Sequence, residues 1–178
     1  DAGTLATNSV DSAELIDGSI DTAHIAADQI TGAILPAGSV LQVVSTYSES
    51  STTITTTGSW VTTGFALAIT PSATSSKILI QVCGSQYQDI NDQTAGATIF
   101  RDSTNIGHAD HGFMPIYFSW GTAGSQDLQA ACSATYLDSP STTSAVTYTV
   151  YAKTDKNTYR WNGLRNGRAT ITLMEIAG

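Results

Sequence analysis

The chain has 178 residues, 41% of them hydrophobic but only 12% Asp, Glu, Lys or Arg, about half the charged share of an ordinary soluble domain. Its 15 acids against 7 bases leave a net charge of −8, which argues against nucleic-acid phosphate as a partner. No apolar run approaches the roughly 20 residues of a membrane-spanning helix, so membrane insertion is not expected, and the length suits one or two domains.

The chain opens at Asp1 rather than Met, as a piece of a longer or processed polypeptide would. Its first region carries a ten-residue repeat, VDSAELIDGS, IDTAHIAADQ, ITGAILPAGS, starting at Val10. Apolar β-branched residues recur at Val10, Ile20 and Ile30, Ala at 13, 23 and 33, and a further aliphatic at Leu15, Ile25 and Leu35. This period is neither a heptad nor an 11-residue coiled-coil repeat. Two or three aliphatics per unit cannot offset an ordering cost of about 1–2 kcal/mol per residue. The columns must therefore be buried against other units or other chains. This implies a thin multi-chain stalk over residues 1–38, with an acidic disordered linker as the alternative.

Pro36-Ala37-Gly38-Ser39 reads as a junction, and residues 39–178 change to short strands between Gly, Ser, Asn and Asp. Expected strands are SVLQVVSTY (39–47), TTITTT (52–57), FALAIT (65–70) and KILIQVCG (77–84). The last is almost continuously apolar, as a strand covered on both faces would be. ATIFRD and NIGHAD form a hairpin signal through Ser103-Thr104. PIYFSW (115–120), QDLQAACSATYLD (126–138), AVTYTVYAK (145–153), TYRWN and RATITLMEI (168–176) come next. AVTYTVYAK alternates with period two, and nothing beyond residue 38 keeps a helical period. The expected fold is all-β: a jelly-roll-like antiparallel β-sandwich preceded by an extended repeat stalk.

Cys83 and Cys132, 49 residues apart, do not have metal-site spacing and read as buried free thiols in apolar runs. Residues 1–76 hold seven acids and no Lys or Arg, whereas Lys153, Lys156, Arg160, Arg165 and Arg168 crowd one basic corner.

NSVDSAELIDGSIDTAHIAADQIT resembles the repeated spacer of tail-fibre proteins from marine bacteriophages, including those of cyanobacteria. ITPSATSSKILIQV, ATIFRDSTNIG, YTVYAKT and the terminal ITLMEI are similar to the distal domains of such fibres and stand in the same order. The resemblance implies a homotrimeric virion subunit: a narrow stalk and a jelly-roll-like cap, related in shape to tumour-necrosis-factor and complement-type trimers. It also implies other fibre or tail proteins as partners, and a host-surface glycan or protein bound by the cap. It carries over no contact residues.

From the residues alone, KTDKNTYRWNGLRNGR (153–168) is the receptor-binding candidate. Lys156, Tyr159, Arg160, Trp161 and Arg165 combine bases with aromatics, the side chains of binding hot spots and of sugar stacking. The competing reading is a hairpin whose Trp packs inside and whose bases offset the acidic stalk. His108, Asp110 and His111 in GHADHG could hold a divalent ion, one His per chain ringing a threefold axis. A polar loop is the preferred reading, and no metal or cofactor is expected. Trp60 and Trp120 read as core or interface residues, and the Ser/Thr-rich run 48–63 as an edge strand and loop.

An enzyme is not expected. The acids Asp89, Asp92, Asp102, Asp110, Asp127, Asp138 and Asp155 lie in turn-like text, Glu175 reads as a buried hydrogen-bonded residue, and no nucleophile elbow or phosphate loop occurs. The expected function is host attachment by a virion fibre through noncovalent contacts. The alternatives are a fibre that binds no receptor, capsid-decorating or filamentous, and a lectin-like carbohydrate-binding module.

Overall fold

The computed structural model describes residues 25, 34–89, 92–119, 127–163 and 167–178. The chain divides into Asp1–Pro36 and Ala37–Gly178. The repeat columns of the first unit lie almost wholly outside the described residues.

The described residues of the second unit form eleven strands: β1 Val40–Ser48, β2 Thr52–Ile54, β3 Val61–Ile69, β4 Lys77–Gln88, β5 Gln93–Arg101, β6 Thr104–Asn105, β7 Met114–Phe118, β8 Leu128–Asp138, β9 Val146–Thr154, β10 Tyr159–Trp161 and β11 Ala169–Ile176. No helix occurs among the described residues. β1, β11, β4, β10 and β2 join in that order with β8 on the far edge of β4, giving a six-stranded sheet. The other sheet runs β3-β9-β5-β6, with β7 also on β5. All pairings between strands are antiparallel. Setting aside the short β2, β6 and β10, the remaining strands taken in chain order lie 1-8-3-6 in one sheet and 2-7-4-5 in the other. That is the jelly-roll order.

Period-two patterning sets the core. Ile78, Ile80 and Val82 of β4 and Ala169, Ile171 and Leu173 of β11 meet Ala97, Ile99, Tyr148, Val150 and Ala152 of the opposite sheet, as inward residues of a sandwich do. Asp138 is buried with them, but Arg101 reaches both of its oxygens at 2.9 and 3.0 Å and the Tyr148 hydroxyl donates at 2.8 Å. A buried charge persists only when paired and hydrogen-bonded in this way.

Several sequence expectations shift. β4 runs four residues past the apolar text, because Gln86 and Gln88 continue the pairing with β8 and β10. It is central by having neighbours on both edges, and its two faces differ among the described residues: Ile80 is fully buried, whereas Cys83 is exposed. Cys132 is half-buried, so the two free thiols do not both pack as core residues. Their register places Cys83 opposite Ser133, and Cys132 opposite Gly84. Successive residues face opposite ways, so the thiols lie on opposite faces, and burial pushes the Cys132 thiol up to about 12. The β5–β6 turn is at Asp102-Ser103, one residue before the expected place; Asp102 takes φ 52°, a left-handed conformation that Asp tolerates.

Candidate functional site

The basic segment does not form a hairpin. β9 belongs to the five-stranded sheet and β10 to the six-stranded sheet, where β10 sits between β4 and β2. Residues 155–158 cross from one sheet to the other. Alternation along β10 then turns Tyr159 and Trp161 inward, with 0% and 1% exposure, which corrects their reading as receptor contacts. The Tyr159 hydroxyl donates to Gln86 Oε1 at 3.0 Å, and burial holds its phenol well above the ordinary range. Trp161 lies across Gly84 of β4, where an added Cβ would come within 2.7 Å of the indole. A glycine inside otherwise apolar strand text is the sequence signal for such a close approach from the neighbouring strand.

Arg160 faces outward, its guanidinium 5.3 Å from the centre of the Tyr87 ring. Tyr87 donates to Asp127 at 2.8 Å; burial and then that bond push its phenol up to about 12. Lys156 is exposed, and Arg165 lies outside the described residues. Arg168 pairs with Glu49 at 2.7 Å and stacks 4.3 Å over Tyr47. Lys153 belongs to the other sheet, so the basic corner of the sequence is divided between two sheets.

The segment 106–113 folds back over the outer face of β5. Glycine permits this close approach: at Gly112 (φ 67°) a Cβ would meet Ala97 O at 2.5 Å and the Trp60 ring at 2.8 Å. Trp60 donates from Nε1 to Ala109 O at 2.8 Å, so it packs on this loop rather than in the core. Trp120 lies outside the described residues. His108 Nδ1 accepts the amides of Asp110 and His111 at 3.2 and 3.3 Å and sits 3.4 Å from His111 Nδ1. That lone pair is thus committed to the turn, and Asp110 faces Lys153 at 3.9 Å. Among the described residues no group of three or more His, Cys, Asp or Glu could hold a metal ion.

Beside this loop is an open cleft of about 250 Å³ lined by Thr94, Ala95, Gly96, Asp110, His111, Lys153 and Asp155. Asp155 is fixed at its wall, accepting the Thr94 amide at 2.9 Å through Oδ1 while its own amide donates to Thr94 O at 3.0 Å. Lys153 is held by Asp110 and by the Trp60 ring, 5.4 Å from its Nζ. No linear motif signals this cleft, because its residues come from three separate segments.

Other acids have structural partners. Glu175 is 1% exposed. Its Oε1 accepts the Ser72 amide and hydroxyl at 2.7 and 2.6 Å, and Oε2 accepts Gln42 Nε2 at 2.6 Å. Burial alone would raise its pKa, but the bonds from Ser72 and Gln42 outweigh burial and hold it below 4.5. Asp102 accepts the Thr147 amide, and Asp92 the Ser119 hydroxyl.

The outer face of the six-stranded sheet is unlike these polar sites. Val43 pairs with Met174, Met174 with Leu79 and Leu79 with Leu137, so one apolar row crosses β1, β11, β4 and β8 in register. Val43 and Leu137 are 54% and 45% exposed. The next outward row, Ser45, Thr172, Gln81 and Thr135, is polar but uncharged. Lys77 borders one end, and the Arg168–Glu49 pair lies toward the other.

No protein-family model matches the chain, and no curated protein sequence matches it either. Among solved structures, the infectious bursal disease virus VP2 subviral particle is similar at 15% identity, over 76% of this chain and 41% of that one, with a TM-score of 0.30. The present chain thus spans less than half the length of that structure, and a likeness at this score does not bear on function.

Proposed function

We propose that the chain is a structural fibre subunit of a bacteriophage virion. In this reading its β-sandwich is a cap that self-associates, as a trimer, through the outer face of the six-stranded sheet and attaches to a host surface by noncovalent contacts. The observation that carries the association is the in-register row Val43–Met174–Leu79–Leu137, apolar on a face left open among the described residues. An aliphatic row that crosses four strands in register on an outer face is the pattern of an interface. Completing the burial of four half-covered aliphatics contributes about 1 kcal/mol each. The central rows carry no charge, so like copies of a chain of net charge −8 meet there without charge repulsion, and charged groups remain at the rim.

The stalk repeat supports the same reading, since its columns need neighbouring units or other chains to be buried. Three copies and the virion setting rest on the resemblance of that repeat to phage-fibre spacers. Attachment would gain from threefold engagement, since multivalency raises avidity by about 10²–10⁴ without new contacts. The outward Lys156 and Arg160 remain available to such contacts; Tyr159 and Trp161 do not.

Light scattering after size exclusion of the full chain tests the assembly: three times the 18.6 kDa chain mass is expected, and a stable monomer overturns it. Excess purified chain should compete with adsorption of the parent particle. A trimer that does not compete leaves a structural fibre without a receptor role.

A further inference from the structure

We infer that the cleft between the 106–113 loop and the end of β9 is a binding site for a neutral sugar unit. This deepens the attachment reading and rests on it only for the biological source of the glycan.

The first argument is size. About 250 Å³ falls below the roughly 300–1,000 Å³ of pockets that enclose drug-sized ligands. An open cleft of this volume accommodates one ring-sized unit with the rest of a chain emerging into solvent.

The second is charge. Asp110 and Asp155 face Lys153 and His111 across the same cleft. An anionic ligand would meet two carboxylates and a cationic one would meet the ammonium. A neutral polyol avoids both penalties: its hydroxyls donate to the carboxylates and accept from Lys153, and hydrogen bonds to charged groups are the stronger ones.

The third is pre-organisation. Asp155 is clamped to Thr94 by two hydrogen bonds to its backbone, and Lys153 is held between Asp110 and the Trp60 ring. Groups already fixed lose less freedom on binding. Lys153 pairs with Gly96 across β9 and β5, so the sheet register itself sets Lys153 at the cleft wall.

The test uses the full chain and calorimetry or saturation-transfer NMR with methyl glucoside, mannoside and galactoside and with N-acetylglucosamine. Glucuronate and glucosamine serve as charged counterparts. At least one neutral sugar should bind saturably in the millimolar range, more tightly than its charged counterpart. Asp110→Ala and His111→Ala, both at exposed positions, should each weaken it tenfold or more without lowering the melting temperature. The inference is overturned if no neutral sugar binds saturably, if a charged sugar binds better, or if both variants bind like the parent chain. Adsorption competition separates the two readings. Competition without sugar binding sinks this site and keeps attachment, whereas sugar binding without competition does the reverse and favours a lectin-like module.

Discussion

The two sheets have similar inner faces and different outer ones. The outer face of the five-stranded sheet is partly covered by the chain itself: the 106–113 loop lies over β5, Trp60 caps the loop, and Phe100 stacks on Tyr151 at 3.9 Å. The outer face of the six-stranded sheet has no such cover among the described residues, yet it carries the apolar row. A period-two strand pattern therefore fixes which side is core but leaves the other side to be finished, by a loop in one sheet and, on the proposed assembly, by a second chain in the other.

The strongest way to break this comparison is Leu79→Asp. A carboxylate at the centre of the row should weaken self-association by more than about 100-fold, through the desolvation of an unpaired charge. Light scattering should find a monomer with an unchanged far-ultraviolet spectrum. An unchanged assembly mass would mean that some other surface joins the copies.

Gly112→Ala probes the self-covered face. Its Cβ would collide with Ala97 O and Trp60 in a left-handed backbone conformation, costing about 2–3 kcal/mol. We expect a lower melting temperature, red-shifted tryptophan emission as Trp60 leaves the loop, and loss of the cleft. Assembly mass should not change, which distinguishes the two faces.

A smaller effect is expected from Glu175→Gln at the sandwich edge. Because the folded carboxyl titrates below its ordinary 4.5, its contribution is present above that pH and is lost as pH falls through the folded value. The variant should be about 1–2 kcal/mol less stable at pH 7, and the gap should close under acid. Denaturant melts at neutral and acidic pH measure both; a gap that widens on acidification contradicts the assignment.

The mildest test is thiol labelling. Cys83 lies on the outer face next to the uncharged row, while Cys132, pushed up to about 12 by burial, has little thiolate at neutral pH. In the Leu79→Asp chain, iodoacetamide should modify Cys83 and spare Cys132. In the parent chain, Cys83 should react several-fold more slowly if a second copy covers it.

How legible the molecule is varies by residue. Apart from NIGHAD, of which only Asn105 lies in a strand and the rest forms the loop over β5, the expected strands of residues 39–178 are present within a few residues, because alternation such as Val146, Tyr148, Val150 on one face of β9 is written directly in the chain. The receptor candidate fails at Tyr159 and Trp161. Their types suit binding and core equally well, and only the seat of β10 between β2 and β4 decides between the two. The HADH cluster has the residue types of a metal site, but the fold spends the His108 lone pair on two amides. Gly84 is visible as a break in apolar text, yet its meaning needs the indole on the adjacent strand.

The sequence by itself determined strand content, the inward faces and the absence of any long helical period, since these follow from local alternation and turn chemistry. Tertiary structure alone decided which strands became neighbours. From that came the buried Trp161, the apolar row formed by residues 43, 174, 79 and 137, and the cleft assembled from β5, the 106–113 loop and β9. Contacts between residues far apart in the chain depend on register and sheet order, and a linear pattern of period two does not specify either.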